Sequence, residues 1–350
     1  MPLVLHLRST TRNTVTIYWE LVRLVVPVTI ATEVLARVGL IGAISPVLDP
    51  VMGLFGLPAD LALAWLLGLF VGLWGAVPLL YVLAPPDTLS VADVTVFASL
   101  LLFAHGLPIE QKIIKKAGPG LLATTVLRLL GGMIYAGSLH LILSTTGWLS
   151  DPVSPGFIPA VPTSDWAAFF LGLFKTCLWM LVILVALAWL LDILKLAGIM
   201  GWLMRMLDPL LKLAGIRGEA RAFTGVGLFL GIAYGGGLLI REARSGTIPP
   251  RQVFMSCIFM GFAHSIIEDT ALFLALGADF TGIFVGRLVF AVAATALIAR
   301  ITLAMPDGLF FGFLFNECSP NSGVERPNCA TGITLLPSSD LHADAERGTR

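Results

Sequence analysis

The chain has 350 residues, 57% hydrophobic and 13% charged, with a formal net charge of zero. That leaves too little polar surface to clothe a soluble core, so the composition excludes a water-soluble globule and calls for a membrane. With no basic or acidic block anywhere, it gives no footing to a nucleic-acid partner.

Apolar runs long enough for about 30 Å of hydrocarbon recur near 16–45, 61–84, 120–147, 165–194, 222–240 and 280–303, with shorter ones near 91–106 and 250–265. The opening stretch MPLVLHLRSTTRNTVTIYWELVRL lacks the basic start, apolar centre and small-residue cleavage site of a signal peptide. Its first helix is therefore expected to stay as an anchor. Asp49-Pro50 and Asp208-Pro209 read as starts of short interfacial helices, the aspartate as cap and the proline as first helical residue. The glycines of GLFVGLWG (68–75) and GVGLFLGIAYGGG (225–237) read as a close-packing seam. Cys177 and Cys257 lie in apolar segments, and Cys318 and Cys329 in a Pro, Ser and Asn-rich tail. Free thiols are expected of all four.

A shift of the sequence against itself by 159 residues aligns 39–130 with 198–289 without a gap, with ~23 identities in ~92 pairs against ~8 by chance, which marks an internal duplication. Leu48-Asp49-Pro50 meets Leu207-Asp208-Pro209; Gly68, Phe70 and Gly72 meet Gly227, Phe229 and Gly231; Phe103-Ala104-His105 meets Phe262-Ala263-His264. Gly118 meets Gly277 and Arg128 meets Arg287, while acid is kept for acid at Glu110 and Asp269 and at Glu33 and Asp192.

The basic residues bear on how often each copy crosses. If the segment around 91–118 dips into the membrane and returns, Lys112, Lys115, Lys116, Lys195, Arg205, Lys212, Arg217 and Arg221 all fall on the cytoplasmic side. The 148–164 loop, with no Lys or Arg, then lies outside; Arg241, Arg244 and Arg251 lie outside too, as an exception. The expected fold is thus an all-α integral membrane protein of two inverted repeats, each with three transmembrane helices plus one re-entrant helical hairpin. The divisions are a first repeat at 1–147, a periplasmic linker at 148–164, a second repeat at 165–303 and a mostly disordered cytoplasmic tail at 304–350. Both termini are expected in the cytoplasm of a bacterium, the chain lying in its inner (plasma) membrane.

The chemistry concentrates in FAHGLPIEQ (103–111) and FAHSIIEDT (262–270), which are read as the hairpins. Each sets a histidine where an apolar helix meets small or breaker residues, then a carboxylate. Mutual capping by the helix dipoles is one account of that pattern. The other is a shared polar site of His105, Glu110, His264, Glu268 and Asp269, because ionisable groups within a membrane are costly and mark a solute or proton path. His105, His264, Glu110 and Asp269 have the imidazole and carboxylate groups that bind divalent transition metals. Arg128 and Arg287 follow, either paired with Glu110 or Asp269, or with Glu33 or Asp192, or offered to an anionic solute.

At these residues the chain resembles the gate family, also called the nucleoside-recognition domain family. It is shared by the membrane part of bacterial ferrous-iron transporters, concentrative nucleoside transporters and spore maturation membrane proteins. The resemblance covers most of 35–300 and rests on the glycine-rich helix 61–84, the segment around His105 and Glu110, and their counterparts at 222–240 and around His264 and Asp269. It implies a gated permease moving a small solute through a site between two hairpin tips, the solute being a divalent metal ion, an organic anion or a nucleoside. The chain has neither the iron transporters' P-loop nor a cysteine at the tips, and no nucleoside-contact residue carries over. A non-transporting membrane scaffold or accessory protein is the alternative. No HExxH or GxSxG motif is present, so no enzyme and no cofactor is expected. Expected partners are the lipid bilayer and a small solute or ion, with room for a homo-oligomer and none for nucleic acid.

Overall fold

The computed structural model describes residues 2–39, 48–155 and 165–315, and among them the chain is helical with no strand. In chain order the helices are α1 (Pro2–Arg37), α2 (Leu61–Val71), α3 (Leu73–Leu83), α4 (Val91–Phe103), α5 (Leu107–Ala117) and α6 (Leu121–Thr146). The second set is α7 (Trp166–Leu196), α8 (Ile199–Leu213), α9 (Ala220–Leu230), α10 (Ile232–Arg244), α11 (Pro250–Ala263), α12 (Glu268–Ala275) and α13 (Arg287–Ala304). Every break in the first set recurs 159 residues later, at Gly72 and Gly231 and again at His105 and His264.

Six helical stretches among the described residues are long and apolar enough to cross a membrane: Thr10–Ala31, Val91–Ala117, Leu121–Thr146, Trp166–Leu194, Pro250–Ala275 and Thr281–Ala304. Three of these fall in each copy, but the helical hairpin is not where the sequence placed it. Residues 91–117 and 250–275 are each long and apolar enough to cross, though interrupted at the histidines, and the chain folds back on itself instead between α2 and α3 and between α9 and α10. Each arm of the first hairpin has 11 residues, about 16 Å of helix and half the hydrocarbon thickness. Gly72 (φ 114°, ψ 177°) and Gly231 (φ 79°, ψ 162°) turn the chain back on itself, in a backbone region open only to glycine. A Cβ on Gly68 would stand 3.2 Å from that of Ala76, and one on Gly235 would stand 3.2 Å from Val226; only folded-back arms bring such residues together.

This correction redistributes the charges. Arg244 Nε donates to Lys116 O (2.8 Å), Arg217 N to Gln252 Oε1 (2.8 Å), and Arg251 to Met305 O and Asp307 (each 2.7 Å). One face therefore collects Lys112, Lys115, Lys116, Arg217, Arg241, Arg244 and Arg251. On the opposite face Val91 N donates to Asp151 O and Val153 N to Leu89 O (each 3.0 Å), and Gly277 lies against Val153. Asp87, Asp93, Asp151 and Asp279 belong to that face. There α4 starts with a reciprocal cap, in which Asp93 N donates to Ser90 Oγ (3.1 Å) and Ser90 N to Asp93 Oδ2 (2.8 Å).

Outside the core of broken helices, α1 lies along α7, tied by Thr10 to Asp192 and by Trp189 Nε1 to Thr11 Oγ1 (2.9 Å). Two further expectations are corrected. Asp208-Pro209 lies inside α8, which starts at Ile199, so Pro209 is an interior proline; Asp208 accepts from Lys212 (2.6 Å) and Arg221 instead of capping. Of the stretch expected to be tail, residues 305–315 pack on the core through buried Phe310 and Phe315, and Gly120 N donates to Leu314 O (2.7 Å). Residues 316–350, with Cys318 and Cys329, and residues 156–164 of the linker lie outside the described residues.

Candidate functional site

An interrupted helix leaves carbonyls without their i+4 donors, and within a membrane each must be satisfied by protein. At the end of α4 every one finds a partner. Leu100 O accepts from Ala104 N (3.3 Å), Leu101 O from His105 Nδ1 (2.8 Å), Leu102 O from Arg287 Nη2 (2.7 Å) and Phe103 O from Arg128 Nε (2.5 Å). At the end of α11, Met260 O accepts from His264 N (2.8 Å) and from His264 Nδ1 (3.0 Å). Phe262 O and His264 O accept from Arg287 Nε and Nη2 (2.8 and 3.0 Å). The two arginines thus bind the carbonyl ends of the broken helices, and Arg287 binds both. Arg128 also meets His105 O at 3.4 Å and pairs with Glu110, Nη1 to Oε2, at 2.5 Å.

The glycine pair at 131–132 brings Arg128 this close. A Cβ on Gly132 would stand 2.8 Å from Phe103 Cβ, and one on Gly131 would stand 2.4 Å from the Phe262 ring. Phe103, Phe262, Phe290 and Tyr135 form an aromatic cluster with ring centroids 5.1–5.9 Å apart. It packs behind the histidines and keeps the arginine bonds dry.

Each break turns through a left-handed residue, Gly106 (φ 55°) in the first copy and Ser265 (φ 47°) in the second. For serine that position costs on the order of 1 kcal/mol. Each hairpin tip sits on its own copy's break: Gly106 N donates to Gly68 O and Ile266 N to Leu228 O, both at 3.0 Å.

This brings His105 and His264 together with Nε2 atoms 3.2 Å apart. Since a carbonyl only accepts, the bonds to Leu101 O and Met260 O assign the proton of each neutral ring to Nδ1. Each Nε2 then carries a lone pair, with the ring centroids 4.7 Å apart and the ring planes tilted by 35°. Glu110 Oε1 lies 3.4 Å from His264 Nε2 and 3.7 Å from His105 Nε2; Asp269 Oδ2 lies 3.8 Å from His105 Nε2. Arg128 Nη2 is 3.2 Å from His264 Nε2. All of these side chains are buried, and Asp269 Oδ2 has no hydrogen-bond donor among the described residues. One ligand atom each from His105, His264 and Asp269 falls within 4.8 Å of the others, close enough to share a metal ion after a small closure.

Of the residues expected at the site, His105, Glu110, His264, Asp269 and Arg128 meet directly. Arg287 lies behind them against the backbone, and Glu268 lines a cavity of about 150 Å³ that opens onto His105, Glu110 and Asp269 between the tips Gly72 and Gly231. Three features went unread: the two tip glycines as walls of this cavity, Trp74 beside them, and the backbone carbonyls that fix both imidazoles. Gly72 and Gly231 were matched in the duplication, which was the available signal. Glu33 pairs with Arg37 (2.7 Å) rather than with either core arginine.

The chain is 28% identical over 288 residues to the uncharacterized membrane protein YvoD of Bacillus subtilis, covering 81% of this chain and 90% of that protein. No family model and no solved structure matches it. The likeness to YvoD supports a multi-span membrane protein and reaches no further toward the gate family.

Proposed function

We propose that this protein is a permease that passes a small cation-sized solute between the two interrupted helices, at the site of His105, His264, Glu110 and Asp269. The carrying observation is a fully buried cluster of ionisable groups where two crossings lose their helical backbone, beside a cavity walled by two hairpin tips. Such breaks within a membrane accompany solute and ion sites. Three crossings per copy is an odd number, so the copies would run in opposite directions. With the basic face cytoplasmic, both termini would be cytoplasmic and the loop at 148–155 external, in the plasma membrane of a bacterium.

Size and charge choose among the solutes. Pockets that bury organic ligands run to ~300–1,000 Å³, and this cavity has about 150 Å³, too little for a nucleoside. Both guanidinium groups turn most of their donors to carbonyls and Glu110, and Arg287 does not line the cavity, which leaves an organic anion few donors there. What faces the cavity is the His105 imidazole with the carboxylates of Glu110, Glu268 and Asp269, and His264 stands against His105.

The test is uptake by proteoliposomes of a panel of divalent cations, nucleosides and small organic anions, for wild type and for His105→Gln with His264→Gln. Cation uptake that the double variant loses, while its unfolding midpoint is kept, supports the reading. Flux of no solute, with a normally folded protein, refutes it and favours the scaffold.

A further inference from the structure

We propose that the paired breaks form a binding site for a divalent first-row transition metal ion, with His105 Nε2, His264 Nε2 and Asp269 Oδ2 as ligands and Glu110 as a fourth donor. As cargo, the ion rests on the permease reading. Its binding does not.

Four observations carry the site. The first is the separation of the two imidazole nitrogens. Two metal–nitrogen bonds of about 2.0–2.1 Å at a tetrahedral angle place their nitrogens about 3.3–3.4 Å apart, and here the two Nε2 atoms stand at 3.2 Å. Two unprotonated nitrogens at that distance repel, and Arg128 Nη2 at 3.2 Å relieves His264 alone, so a cation shared by both nitrogens would stabilise the pair.

The second is the way each ring is held. Metal-binding histidines donate their other N–H to a carboxylate or a backbone carbonyl, which fixes the tautomer and the ring direction. Both rings do so through Nδ1, to Leu101 O and Met260 O, each four residues earlier on its own helix. The duplication has thus produced two imidazoles held in the same way, with their Nε2 atoms side by side.

The third is Asp269, 6% exposed, whose Oδ2 meets no donor among the described residues and lies 3.8 Å from His105 Nε2. A buried carboxylate oxygen without a donor is expensive, and a cation removes that cost after a closure of about an ångström to bonding distance. The fourth is charge. Arg128 is neutralised by Glu110 at 2.5 Å, which lifts the objection to a cation for that arginine, and Arg287 is turned toward three backbone carbonyls. On metal binding, Arg128 Nη2 must leave His264 Nε2, while Nη1 and Nε keep Glu110 and Phe103 O.

The donor set selects the metal class. Two imidazoles with carboxylates and no thiolate suit borderline ions such as Zn²⁺, Fe²⁺, Co²⁺ and Mn²⁺. Mg²⁺ and Ca²⁺ prefer oxygen-only sets.

The experiment uses the full chain in detergent, with Co²⁺ as spectroscopic probe and Zn²⁺ as competitor. The expected result is saturable binding of one Co²⁺ per chain, with visible absorption bands of a low-symmetry nitrogen- and oxygen-ligated ion that are displaced by Zn²⁺ and untouched by Mg²⁺. His105→Gln or His264→Gln should weaken binding more than about 100-fold, since loss of an outer-shell partner alone costs 10- to 100-fold. Asp269→Asn should weaken it while leaving the two-nitrogen bands recognisable. Absence of saturable binding in wild type overturns the proposal without needing any variant to fold, and so does binding that survives the double histidine change. If the metal binds and proteoliposomes show no flux, the metal site stands and the permease reading falls. Flux of another solute without metal binding does the reverse.

Discussion

Arg287 is fully buried and gives three hydrogen bonds, to Phe262 O, His264 O and Leu102 O. Arg287→Lys keeps the charge but replaces a planar fork by one nitrogen, which reaches one of those carbonyls and abandons the others. Two lost hydrogen bonds from a charged donor, at about 1.5–3 kcal/mol each, give roughly 3–6 kcal/mol. The carbonyls left behind have no water to turn to. The matched control is Arg300→Lys, an exposed position on the same helix, where a change within about 0.5 kcal/mol is expected. The assay is unfolding by SDS titration in dodecyl maltoside, followed by far-ultraviolet circular dichroism. A midpoint for Arg287→Lys equal to that of Arg300→Lys would refute the claim that the arginine holds the broken helix ends.

Three further outcomes are expected. Single cysteines at Lys116 and Arg241, in a background free of native cysteines, should react with a membrane-impermeant maleimide from one side and a cysteine at Asp87 from the other; opposite sidedness for Lys116 and Arg241 would restore the hairpin at 91–118. Gly236→Cys with Ile113→Cys should cross-link on oxidation, because a Cβ at 236 stands 3.2 Å from Ile113 Cγ2, within disulfide reach. Flux should stop and return with dithiothreitol, and unimpaired flux through the cross-linked protein would show that this hairpin stays still during transport. Asp208 is held below the usual carboxylate range by its hydrogen bond from Lys212 and by Arg221. Its contribution is therefore present at neutral pH and lost as pH falls through its folded value, so Asp208→Asn should be less stable than wild type at pH 7 and converge with it below about pH 4.

The duplication, the membrane class and the meeting of His105, His264, Glu110 and Asp269 were legible because each rests on residue identity at a fixed offset. The hairpin was not. Residues 61–84 form an unbroken apolar run, and hydropathy does not register that Gly72 reverses the chain; residues 91–117 look interrupted at His105, yet continue to the other face. Either choice leaves Lys112, Lys115 and Lys116 on the same side, so those lysines could not decide. Arg241, Arg244 and Arg251 could. They were exceptions to the charge rule under the expected topology and obey it once α9–α10 is the hairpin. The histidine tautomers were beyond reach for another reason: they depend on carbonyls that helix geometry offers to any residue four positions on.

The crossing of Arg287 to Leu102 O also bears on ancestry. A half-length chain with only the first copy would end α4 on an uncapped carbonyl, and its single histidine would face no counterpart. Two such chains would complete each other. The duplication holds both partners of that pairing within one polypeptide, and co-expression of the halves divided within 156–164 is expected to recover it.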